Sequence, residues 1–131
     1  MGETALVERK IEEIILLIKQ LDEDGNSPSL VSWYFYADVE EWKLLIAGPT
    51  YDKFLPKHEP NAYRNVIESM TKLPLETLSV SDIKIITTSS PVSQAISILV
   101  RTEPTGISQA HFIDTTLNGI FIKEMVIIRS A

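Results

Sequence analysis

Residues Leu30 to Ala47 constrain the fold more than any other stretch, because they hold two alternating runs separated by a short polar turn. Val31, Trp33 and Phe35 alternate with Ser32, Tyr34 and Tyr36. Successive side chains of a strand point to opposite faces, so these two sets lie on opposite sides. The aromatic and β-branched content favours the pleated conformation. Asp38-Val39-Glu40 forms the turn, and Glu41 to Ala47 returns with Trp42, Leu44 and Ile46 on one face and Lys43 and Leu45 on the other. The spacing brings Trp33 and Trp42 near one another across the ladder. Gly48-Pro49 stops the second strand.

The rest of the chain is arranged around this hairpin. Val7, Ile11, Ile14, Ile18 and Leu21 recur at steps of four and three, which predicts a helix over Thr4 to Leu21. Glu3 or Thr4 is placed to cap it, and Asp22-Glu23-Asp24-Gly25-Asn26 ends it. That acidic loop is not a calcium site, because its sixth position is Ser27 rather than glycine and its twelfth is Trp33 rather than glutamate. The apolar stripe packs the helix on a sheet or, alternatively, forms a short seam with a second copy. A connection of eleven or twelve residues follows Gly48-Pro49, longer than ordinary loops. Pro60 then opens a helix carrying Ala62, Val66, Ile67, Met70 and Leu73 on one face. Ile83 to Thr88 reads as a strand, and Ser89 or Ser90 before Pro91 as the cap of a helix reaching about Thr102, with a strand over Ile96 to Arg101 as the alternative. Ile107 to Leu117 and Ile120 to Arg129 flank Asn118-Gly119, a strong hairpin turn.

The order is therefore α-β-β-α-β-α-β-β. It predicts one α+β domain over residues 1–131, with a mixed five-stranded sheet, helices packed on it, and two βαβ crossovers linking the hairpins. A length of 131 residues suits one domain. The net charge of −6 points away from a nucleic-acid backbone as partner. With no cysteine, disulfides, thiolate chemistry and Cys-ligated metal centres are excluded, which fits a reducing cytoplasm. No apolar run approaches the ~18 residues of a membrane span.

No motif fixes a reaction. His58 and His111 are the two histidines, and they lack a metal spacing such as HExxH. No GxSxG elbow and no glycine-rich phosphate loop occurs. No catalytic residue, metal or cofactor is therefore assigned. Glu41 and Lys43 share a strand face, a spacing that serves metal-dependent phosphodiesterases when an aspartate joins from a neighbouring strand. Asp38 is too close in sequence for that role, and a plain ion pair explains the two residues as well. The other candidate surface is Tyr34 and Tyr36 on one strand face with Lys43, extended by Tyr51, Asp52, Lys53 and His58 of the long connection.

The segment Trp42 to Pro49 (WKLLIAGP) with Asp52, together with Ala62-Tyr63-Arg64, Ser90-Pro91-Val92 and the Asn118-Gly119 turn, resembles a set of small bacterial proteins without assigned function. The likeness spans about residues 30–129. It implies a stand-alone bacterial domain and carries over no catalytic residue. These readings lead to a non-enzymatic domain that binds a protein partner or itself as a homodimer, with the Glu41/Lys43 phosphodiesterase as the alternative.

Overall fold

The computed structural model describes residues 2–131, and side-chain surroundings from residue 8 onward. The elements are α1 (Gly2–Glu23), β1 (Leu30–Tyr36), β2 (Glu41–Ala47), the one-turn α2 (Pro49–Asp52), α3 (Glu59–Met70), a 3-10 turn at Val80–Asp82, β3 (Ile83–Ile85), α4 (Pro91–Leu99), β4 (Ala110–Leu117) and β5 (Ile120–Ser130). The expected order holds, with α2 added inside the long connection. α1 begins at Gly2, so Glu3 and Thr4 lie within its first turn rather than ahead of it. The side-chain surroundings of Glu3, Thr4 and Val7 fall outside the described residues.

The sheet runs β3-β2-β1-β5-β4. Every neighbouring pair is antiparallel except β2 and β3. One crossover, from β2 through α3 to β3, is therefore a βαβ unit. The second is not. β3 and β4 occupy opposite edges and run in opposite directions, so the connection through α4 crosses the sheet rather than joining parallel neighbours. β3 is shorter than expected because Thr87 and Thr88 leave the ladder. The Thr87 carbonyl accepts from Ser93 Oγ at 2.8 Å, and Thr88 bonds to Asp52. Residues 96–99 are helical, because Ser90 caps Ser93 N and turns Ala95 and Ile96 onto the sheet.

Local chemistry explains the joints. α1 ends in a Schellman motif: Asn26 N donates to Leu21 O at 2.9 Å and Gly25 N to Asp22 O at 3.3 Å, with Gly25 at φ 80°. Asn118 and Gly119 both take positive φ, as a two-residue type I′ hairpin requires. Two apolar layers flank the sheet. On one side α1 and α3 pack Ile14, Leu17, Ile18, Leu21, Ala62 and Val66 against β1, β2 and β3. The stripe of α1 is thus taken up by the sheet. On the other side α4 packs against Leu45, Ile122, Met125 and Ile127.

Two carboxylates, one buried and one partly exposed, fasten this frame. Glu13, 2 % exposed, accepts from the backbone N–H groups of Glu76, Thr77 and Leu78, each at 3.0 Å, and so ties the α3–β3 connection to α1. Burial pushes this carboxyl up, but the N–H groups of Leu78, Thr77 and Glu76 outweigh it and hold the group at about 2. Asp22 takes a forked pair of bonds from the wholly buried Arg129 at 2.8 and 2.9 Å. Arg129 also donates to the carbonyls of Gly106 and Pro28, joining the last strand to the end of α1.

Candidate functional site

The sequence-derived candidates divide on inspection. Tyr34 is 5 % exposed, its ring 4.8 Å from that of Tyr36 and packed into the α4-side layer. Burial raises both phenols. Tyr36 is half-buried, with Lys84 Nζ 4.6 Å from its ring. Tyr51 is fully buried, and its hydroxyl donates to Asn26 O at 2.7 Å. Asp52 accepts from Thr88 N at 3.0 Å and from Thr88 Oγ1 at 2.5 Å. Residues Tyr51 and Asp52 therefore clamp the long connection onto the body of the domain, and neither offers a free polar group. Lys53 lies over the Phe54 ring and is exposed, as is His58 just ahead of α3. Tyr34 and Tyr51 are corrected to interior residues. The tyrosine face and the connection do not form one surface.

Lys43 Nζ stands 3.9 Å from Glu41 Oε2 and donates to Ser81 O at 2.7 Å. Among the described residues, no group of three His, Asp or Glu side chains gathers closely enough to share a metal ion.

A site emerges instead on the α1 side of the sheet. Register places two rows of side chains across that face. Leu44, Trp33, Val126 and His111 form one row, and Trp42, Phe35, Glu124 and Ile113 form the next. Along the first row exposure rises from Leu44, fully buried, through Trp33 at 6 % to a half-buried Val126 and an exposed His111. In the second row Ile113 is 57 % exposed. The gradient has a simple cause. α1 and α3 cover the β3-β2-β1 side of this face and reach β5 at Ile128, whereas His111 and Ile113 of β4 stand exposed.

The result is a groove of about 630 Å³ between α1 and the outer part of the sheet. Ile11 and Ile15 form its α1 wall, with Trp33, Trp42 and Val126 as floor and Gln109 and His111 at the outer rim. Trp33 and Trp42 stack, with centroids 5.6 Å apart and planes 14° from parallel. Phe35 tilts against Trp42 at 5.2 Å. Lys10 Nζ lies 5.2 Å from the Trp33 ring centre and is tethered to Asp82 at 3.2 Å and to the Thr77 carbonyl. His111 Nε2 at the rim is 2.8 Å from Glu124 Oε2. This is a rigid, largely apolar surface with charged edges, the form that suits docking better than bond-making.

Sequence reasoning brought the two tryptophans together across the hairpin and left His111 on a strand without a site. One signal for the groove was available: His111 and Ile113 share a strand face with an apolar residue turned outward. Comparison with known proteins adds no assignment, since no protein family, curated protein or solved structure matches this chain.

Proposed function

We propose that this chain is a non-enzymatic interaction domain that receives an α-helical segment of a protein partner in the groove beside α1. The observation that carries the proposal is the groove between α1 and the exposed outer part of the sheet, floored by the stacked Trp33 and Trp42 and by Val126. A strand partner would add to the free edge of β4, outside the groove, because the floor strand β5 is already paired on both sides and has no backbone groups to offer. A helix brings its own backbone bonds satisfied and needs only an apolar ridge. Each large apolar side chain buried there would contribute roughly 1.5–3 kcal/mol.

Photo-crosslinking in the cells that make the protein tests this. A benzophenone amino acid replaces Ile113, exposed beside the groove opposite Glu124, or, as control, Ile98, which is exposed on α4. The expected result is a heavier covalent product from position 113 and none from position 98. Equal products from both positions, or none from 113, would overturn the proposal. A product weighing two copies of the chain would replace the foreign partner with a second copy.

A further inference from the structure

Granted the docking reading, the charge around the groove identifies the chemistry of its occupant. Glu8 and Glu12 stand one turn apart on the α1 wall, and Glu124 rises from the floor with its Oε2 2.8 Å from His111 Nε2. Among the described residues, Lys10 is the one basic residue of the wall, and Asp82 already answers its charge at 3.2 Å. Glu8 and Glu12 make no ion pair within the described residues. Arg9, their neighbour, is turned away onto Glu13 and Glu76. The groove is therefore apolar and aromatic at its base and acidic along its α1 edge.

We propose that the occupant is an amphipathic helix with an apolar ridge flanked by lysine or arginine. The ridge fills the space over Trp33, Trp42 and Val126. The basic flank on the α1 side meets Glu8 and Glu12. An acidic flank would be repelled at the α1 edge, so the same charges disfavour acidic helices.

The test pans the intact chain against displayed 20-residue peptides with a fixed apolar ridge, randomised flanks and no tryptophan. Binding is read by fluorescence, because Trp33 and Trp42 are the two tryptophans of the chain and both line the groove. Selected peptides should carry Lys or Arg on their flanks and alter the emission. The double variant Glu8→Lys/Glu12→Lys should weaken them about tenfold, a penalty that shrinks in ~0.5 M salt as screening grows. Both positions are exposed, so an unchanged urea midpoint verifies the variant's fold. If the variant is unfolded, the salt dependence of the unaltered chain decides in its place. Peptides with neutral or acidic flanks that still alter the emission would overturn the basic helix while leaving the docking groove standing. A selection yielding no peptide that perturbs the indoles would overturn both.

Discussion

Replacing Glu13 with glutamine should cost this domain about 3 kcal/mol at neutral pH, and the cost should fade in acid. The carboxylate is interior and accepts three backbone N–H bonds from residues 76–78, which hold its titration at about 2. In the unfolded chain a glutamate titrates near ~4.3. At ~1.4 kcal/mol per pH unit, the gap amounts to ~3 kcal/mol. The folded group is the stronger acid, so this stabilisation is fully present above ~4.3 and is lost as pH falls towards 2. Glutamine keeps the size but loses the charge, and its NH₂ turns one donor towards donors. Urea unfolding of both proteins at pH 7 and pH 3 measures the difference. With a slope of ~2 kcal/mol/M, the midpoint of Glu13→Gln should fall by ~1.5 M at pH 7, and the free-energy gap should shrink to about half by pH 3. A gap below ~1 kcal/mol at pH 7, or one that is equal at both pH values, would refute the reasoning.

Three further perturbations probe the frame. Asp22→Ala strands the buried Arg129 guanidinium and should destabilise by about 3–5 kcal/mol in urea unfolding, whereas pairing it with Arg129→Met should recover part of that loss. Gly48→Ala puts a Cβ 2.9 Å from the backbone nitrogen of Ser29, so chemical denaturation should show a loss of ~1–3 kcal/mol. Tyr51→Phe removes the bond to the Asn26 carbonyl and should cost about 1 kcal/mol without altering the far-ultraviolet dichroism.

The fold was legible because turn chemistry is local. Asn118-Gly119, Gly48-Pro49 and Ser90-Pro91 mark joints whatever surrounds them, and the two-residue alternation of Leu30–Tyr36 assigns its faces correctly. The sheet order was less accessible. Nothing local at Thr102 to Ser108 says that the chain has crossed to the far edge, so the second connection read as another βαβ unit. The site was misplaced for a related reason. Alternation says which side chains share a face but not whether a helix covers it, and so Tyr34 could be read as open and Trp42 as closed. The length of the Gly48–His58 connection suggested function, whereas Tyr51 and Asp52 lock it to Asn26 and Thr88. Glu13 gave no warning at all, since a carboxylate among helical residues looks solvated until the N–H groups of residues 76–78 are brought against it.

The central claim is that the uncovered sheet face beside α1 is where this domain meets its partner. Nitrogen-15 chemical-shift mapping during titration with a selected basic helical peptide tests it most directly. The two indole N–H signals of Trp33 and Trp42 and the amides of His111, Ile113, Glu124 and Val126 should move together. Shifts gathered instead on Tyr51 to His58 or on α4, with both indoles unmoved, would contradict the account.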